Sequence, residues 1–463
     1  MHLSRSIADL PRWLFLALLF FAPLAYGCTN KATVIAFNGL AGGLLAQWLA
    51  VCVWRRRWPG VSWWPLTIVA LLLLQGWWFA WNAHTVNVYR TWLTFTRIWD
   101  FPPLPEWPGA MDRHLAQAAM LNVTALAGLF LFACDLMPRP LWRKRVWVTM
   151  ALSAVAVAAT GIALKMGPVD WREFVWGDKV AKIPTTFALY RHHGNAATML
   201  AIGWALTLGF IIPAVSDRTR PLRFAGWLAA SLGMFAGLAI STSRAGWLLA
   251  VMVALVMAGR FAIAWWITRR GTMDWRVMGI QGAVLTAVVG MIVAVGMQTD
   301  NRLKLTRLQT TLQDLQARFP AAVYRHMASE TGWLGYGANC FQVVLPTYME
   351  VHGMATEKYG YWEHAHNDYY EYHTSWGKWG SALWAVLIGG GLFLALRDHF
   401  RSPPIWASTQ WALSFAGCVA MGVVLLHAGW DFPLEIPSIQ VFFYTLMADG
   451  WARLQPIGEE DMA

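Results

Sequence analysis

Charge is what this chain has least of. Asp, Glu, Lys and Arg make up 13% of it, against roughly 25% in soluble globular domains. Hydrophobic residues reach 57%, and apolar runs of about 20 residues, the length that crosses a bilayer, recur. A soluble globular fold is excluded; an all-α polytopic membrane protein in a lipid bilayer is expected. Cysteine is also scarce. Cys28, Cys52, Cys134, Cys340 and Cys418 show no metal-ligand spacing, which leaves no cysteine-based metal module. Cys52, Cys134 and Cys418 fall in or beside apolar segments and read as small hydrophobes. Only Cys28 and Cys340 are placed to share an oxidising side and pair. No repeat of 20–50 residues and no low-complexity tract is visible, and past Trp451 only a short acidic segment is expected. The formal charge of +11 has no basic helix or aromatic-interleaved patch behind it. Nucleic acid is therefore not an expected partner, and membrane topology with anionic headgroups accounts for the excess.

What is present in quantity is tryptophan, 31 residues, many at the ends of apolar runs, as an interfacial belt requires. Hydropathy predicts about 12 transmembrane helices, at 12–27, 32–54, 62–81, 115–136, 146–164, 193–213, 224–242, 245–267, 277–297, 379–397, 406–427 and 435–452. The first, preceded by Arg5 and Arg12, reads as an uncleaved helix rather than a signal peptide. One set of links is short and basic, among them Arg55–Arg57, Arg139–Arg145 and Arg218–Arg223. The positive-inside rule places these links and both termini in the cytoplasm. The other links, 82–114, 165–192, 298–378 and 428–434, are aromatic and fall outside. The chain thus divides into N-terminal spans (1–297), a large outer loop (298–378) and C-terminal spans (379–463). That loop is expected to be partly helical, with an amphipathic stretch at Arg302–Phe319, a turn-rich passage from Gly332 and a short helix near Phe341–Tyr348.

The most polar segment is 361–381, with His364, His366, His373, Asn367, Asp368, Glu363 and Glu371 within about twenty residues. A helix from about Asp368 would put His366 at or just before its first turn; if the turn extends back one residue, Tyr370, His373 and Gly377 share its face. Two further outer constellations are Tyr190-Arg-His-His-Gly-Asn195 and Ser241-Thr-Ser-Arg-Ala-Gly246. Arginine binds phosphate through a planar fork of donors, and histidine takes a proton near neutral pH. Two arginines and a histidine suffice for sugar transfer from a lipid diphosphate, with the arginines stabilising the leaving group and His366 deprotonating the acceptor. No metal is required for this, and Asp368 and Glu363 have no convincing partner for one.

These residues resemble the O-antigen ligase superfamily, which groups O-antigen ligases, Wzy-type polymerases and protein O-oligosaccharyltransferases. The signature His-Asn, nine residues, Gly-x-x-Gly stands here as His366-Asn367 and Gly377-Lys-Trp-Gly380. Ser243-Arg-Ala-Gly246, Gly335-Tyr-Gly-Ala-Asn-Cys-Phe341 with Pro346 and Tyr348, and Asp431-Phe-Pro-Leu-Glu-Ile-Pro437 are similar to further family passages. Ser381 and Arg191-His-His depart from the commoner forms. The resemblance, most of all to an O-antigen ligase, implies a GT-C-type glycosyltransferase of the bacterial inner membrane, active on the periplasmic face. Its donor would be an undecaprenyl-diphosphate-linked glycan, and its acceptor lipid A–core or a growing glycan. No metal, nucleotide or other cofactor is expected. By position His366 corresponds to the general base, and Arg191 and Arg244 to the diphosphate-binding arginines.

Plainer readings stand beside these. His366 can be a helix-capping residue, Arg244 can snorkel to headgroups, and His192 or His193 can matter more than Arg191. Asn367, His364, Tyr370 and His373 are substrate-binding candidates, with His364 and His373 equally readable as structural. Arg318 and Arg325 reach substrate or lie on solvated helix faces. Asp431 reads as a substrate-site residue, an N-cap or an arginine's partner. A secondary transporter or flippase is the reading from another class; mid-membrane ionisable residues and paired broken helices would mark it.

Overall fold

The computed structural model of the protein describes residues 2–90, 95–99, 102–166, 186–216, 219–268, 320–354, 362–405 and 408–455. Within these residues it is helical apart from one antiparallel hairpin, Thr85–Arg90 with Phe95–Trp99. Thirteen α-helices follow in chain order: α1 His2–Phe21, α2 Lys31–Trp54, α3 Trp63–Trp81, α4 Arg113–Leu136, α5 Pro140–Met166, α6 His193–Ser216, α7 Pro221–Ile240, α8 Arg244–Thr268, α9 Ala321–Glu330, α10 Phe341–Val351, α11 Asp368–Arg401, α12 Thr409–His427 and α13 Pro437–Trp451.

Nine of these helices, α2 to α8, α11 and α12, are long and apolar enough to cross a membrane. The expected ninth span, 277–297, lies outside the described residues, as does Arg302–Phe319. The other two expected spans are helices that miss the criterion for different reasons. Helix α1 has a more polar first half, with Arg5, Asp9 and Arg12. Helix α13 has 15 residues, about 22 Å at 1.5 Å per residue, too short to cross alone.

Every residue of α13 is buried, and α4, α11 and α12 wrap it. It is a post inside the bundle. Its close fit to α11 rests on glycines: a Cβ on Gly450 would stand 2.0 Å from Gly391 O, so only bare backbone admits the crossing. The same device seats α6, whose Gly203 faces Ala154 and whose Gly209 faces Ala416.

Buried ion pairs close one end of the bundle. Asp135 accepts two hydrogen bonds from Arg57 (2.9 and 2.7 Å), one from Trp48 Nε1 (2.9 Å) and one from Gly60 N (2.7 Å). Asp449 takes Arg143 and Arg453 at 2.6 and 2.9 Å. Such charges are tolerated in a low-dielectric interior only when paired. The basic links lie at this end, so their arginines serve packing as well as topology. All five cysteines are free and buried. Cys340 Sγ faces Asp112 O and Cys28 Sγ faces Ala22 O; the pairing of Cys28 with Cys340 is not made.

Candidate active site

The opposite end of the bundle holds the starts of α6, α8, α11 and α13 and the end of α12. Chain direction alone therefore brings residues 190–195, 241–246 and 362–381 to one face. Contacts tighten the grouping: Gly246 packs on Ala197 of α6, and Gly194 approaches Asp431 so closely that a Cβ would lie 2.6 Å from its Oδ2.

Helix α11 begins one residue later than the shared-face reading requires. Asn367 is its N-cap, with Oδ1 accepting from Tyr370 N at 3.2 Å and Nδ2 donating to Gly429 O at 2.7 Å. His366 lies off the helix at φ +46°, a left-handed conformation that His adopts more readily than most residues. This kink turns its ring away from the face of Tyr370 and His373. His366 instead hydrogen bonds Asp431, Nδ1 to Oδ1 at 3.2 Å. His373 turns toward α9, with Nε2 3.4 Å from Ala328 O, and Tyr370 packs on Tyr324. The helix thus starts at Asp368 with His366 just before it, as expected, and only the backward extension that would set His366 on one face with Tyr370 and His373 is not made.

A second break shapes the wall. Gly377 inside α11 has φ +66° and ψ −172°, and the turn 332–337 crosses the helix there. Tyr336 N donates to Thr374 O and Gly337 N to Ser375 O, both at 3.0 Å, and Trp379 N donates to Trp333 O at 2.9 Å. From α3, Gln75 Nε2 reaches Leu334 O (3.1 Å) and Trp376 O (2.8 Å). The Gly-x-x-Gly of the motif thereby acquires a physical role. Gly377 makes the break, and Gly380 leaves room for Gln75, whose Oε1 would lie 3.0 Å from a Cβ there.

Between these elements lies a cavity of about 1040 Å³, at the upper edge of the roughly 300–1,000 Å³ usual for small-ligand pockets. Arg191, His192, His364 and His366 line it, with Asn339, Trp362 and Phe432. Arg191 is exposed. Arg244 opens α8 at the same end, exposed and outside the cavity wall. Arg325 is exposed on α9 and bonds Ala321 O; Arg318 lies outside the described residues.

Asp431 is the hub. It is 7% exposed and, among the described residues, neither caps α13 nor pairs with an arginine. Oδ1 accepts from His366 and from Phe432 N (3.1 Å), while Oδ2 faces His427 Nε2 at 3.5 Å and His192 Nδ1 at 3.7 Å. Burial disfavours its charge, but the hydrogen bond from His366 and the imidazoles of His427 and His192 outweigh it and hold the carboxyl well below the usual carboxylate range. A carboxylate on Nδ1 fixes the tautomer and leaves Nε2 of His366 as the ring's acceptor.

His364 belongs to a neighbouring cluster the sequence did not reveal. Its Nδ1 lies 2.9 Å from Glu371 Oε1, and its ring stacks on Phe432 at 4.8 Å. With Glu435 these residues offer three possible ligand atoms within 4.8 Å of one another; neither Asp368 nor Glu363, the two carboxylates weighed from the sequence, is among them. Burial works against the imidazolium, but Glu371 and the adjacent carboxylates push His364 up to about 9. Burial, then the charge of Glu371, push Glu435 up to about 8 against the pull of His364. Protons on His364 and Glu435 thus balance the cluster as it stands.

His427 escaped the sequence reading, and Glu371 and Glu435 stood in it only within the polar segment and a family-like passage, not as site residues. The i, i+4 spacing of His427 and Asp431 at a span's end was the one local signal; Glu435 meets His364 only through the fold. No protein-family model matches this chain, and no curated protein matches it.

Proposed function

We propose that this protein is a lipid-diphosphate-dependent glycosyltransferase, of the O-antigen-ligase kind, working at the membrane face where the cavity opens. The observation that carries the reading is His366, held by Asp431 on Nδ1 and lining a cavity it shares with Arg191. The donor is an undecaprenyl-diphosphate-linked glycan. The acceptor hydroxyl oxygen bonds to the anomeric carbon, the bond from that carbon to the diphosphate oxygen breaks, and the hydroxyl proton passes to Nε2 of His366. Arg191 and Arg244 take the diphosphate, whose charge grows as the bond breaks. Asn367 sets the start of α11 and so the position of His366, while His364 and the face of Trp362 border the sugar path. The acceptor is the outer sugar of lipid A–core.

The test is transfer by the purified protein from a defined lipid-diphosphate glycan, with and without lipid A–core and with and without chelator. Product on the core supports a ligase. Elongation of the lipid-linked chain without core identifies a polymerase of the same chemistry. His366→Ala is expected to lose transfer by about 10²-fold or more while keeping the wild-type melting temperature. Absence of product in every arm, or wild-type rates in His366→Ala, refutes the assignment.

A further inference from the structure

His427 has no place in the mechanism above, yet it is 0% exposed and stands between two polar groups. Its Nδ1 lies 2.5 Å from Thr198 Oγ1, and its Nε2 faces Asp431 Oδ2 at 3.5 Å. The Thr198 hydroxyl also has Gly194 O as an acceptor at 3.1 Å, and Gly194 is the residue packed against Asp431 Oδ2. A carboxylate tolerates a hydrogen-bearing nitrogen at this range and is repelled by a lone pair. Every form of His427 that suits Asp431 therefore carries its hydrogen on Nε2. In the neutral ring, Nδ1 is then the acceptor, and among the described residues the Thr198 hydroxyl is in place to supply it, its one proton shared between Nδ1 and Gly194 O.

We infer that Thr198 and His427 are positioning residues: Thr198 fixes the His427 ring, His427 holds Oδ2 of Asp431, and Asp431 thereby keeps Oδ1 on His366. The line Thr198–His427–Asp431–His366 joins α6, α12 and the loop 428–436 to the strained residue before α11. Without it, Oδ2 has His192, at 3.7 Å, as its nearest remaining partner among the described residues, and the carboxylate swings toward that ring and off His366. This inference rests on His366 being the base, but its central claim, control of the His366 ring from two other helices, is measured without turnover.

The experiment uses the full-length protein in detergent with Thr198→Val, Thr198→Ser, His427→Phe, His427→Gln and Asp431→Asn. Carbethoxylation of His366 by diethyl pyrocarbonate is followed by mass spectrometry at pH 6. A ring that loses its carboxylate is no longer held through Nδ1 and turns more freely toward the reagent, so labelling is expected to quicken threefold or more in Thr198→Val, His427→Phe and Asp431→Asn. Thr198→Ser, which keeps the hydroxyl, and His427→Gln, which keeps a donor toward Asp431, stay within twofold of wild type. Transfer assays are expected to show kcat reduced at least tenfold in the first three variants with KM within twofold, and largely restored in the two conservative ones. Unchanged labelling in Thr198→Val, nearly isosteric and so expected to fold even if His427→Phe does not, overturns the inference. Quickened labelling in a protein that transfers no glycan leaves the positioning line standing and sinks the glycosyltransferase reading instead.

Discussion

Replacing Gly377 with alanine tests the crossing that builds the cavity wall. At φ +66° and ψ −172° the backbone lies in a region essentially restricted to glycine, where another residue costs about 1–3 kcal/mol. A Cβ would also stand 2.4 Å from Gly335 N and 2.5 Å from Trp333 O, backbone atoms with no rotamer to escape into. The turn 332–337 must back away, placing its hydrogen bonds to Thr374, Ser375 and Trp379 and the one from Gln75 to Leu334 at risk. At about 0.5–1.5 kcal/mol each, loss of roughly half of them plus the strain comes to about 2–6 kcal/mol. Gly389→Ala in the same helix is the control: nothing lies within 4 Å of its Cβ position, and alanine there gains up to about 1 kcal/mol in helix propensity. In detergent, Gly377→Ala is expected to melt several degrees below wild type and to be cleaved faster by protease within 332–337, while Gly389→Ala does neither. A Gly377→Ala protein that melts with wild type would refute the glycine-only crossing.

Three further outcomes follow from the site. Asp431→Asn should keep the fold but lower kcat by about 10²–10⁴-fold with KM little changed, measured by steady-state transfer; a raised KM with kcat intact would place Asp431 in binding instead. The folded-state values of His364 (about 9) and Glu435 (about 8) both lie above their ordinary ones. The folded protein therefore binds protons the unfolded chain releases, and stability falls as pH rises. The His364 contribution is whole below about pH 6.5 and lost through pH 9. The melting temperature should drop from pH 7 to 9 more in wild type than in the His364→Gln/Glu435→Gln double variant, and parallel curves would contradict the cluster's protonation. Finally, burial pushes the thiols of Cys28 and Cys340 up to about 12, so iodoacetamide at pH 7.5 should label neither until the protein is unfolded. Fast native labelling, or a mass gain of two hydrogens on reduction, would count against that burial.

Much of the scaffold was legible because bilayer insertion writes itself locally: twenty apolar residues in a row suffice to read α2 to α8, α11 and α12. Helix α13 shows the limit of that code. Its apolar run looks like a span, but what fixes it is wrapping by α4, α11 and α12, which hydropathy does not encode. The arginines of the short links were legible as topology signals, yet Arg57 and Arg143 also pair with Asp135 and Asp449, partners 78 and 306 residues away.

The site was legible as residue types and illegible as geometry. His366, Arg191, His364 and Asn367 stood out because polar residues are rare here, and the fold gathers them at one end. Periodicity reaches Tyr370 and His373 from His366 only if the helix extends back past Asp368, and here Asn367 caps it, so His366 stands before the first turn and meets other neighbours. A single left-handed residue moves the imidazole from the company of Tyr370 and His373 to Asp431, 65 residues on. Strain of about 1–3 kcal/mol at such a residue persists only where surrounding structure over-determines it. Here the supports are the Asn367 cap, the bond from Asp368 N to Ala428 O at 2.8 Å and the contact with Asp431. Two of the three tie the His366 segment to the loop 428–436 rather than to its own helix. The geometry of the proposed base is therefore set by how α11 docks on the end of α12, and substitutions in that loop should disturb His366 more than substitutions on its own helix beyond the first turn.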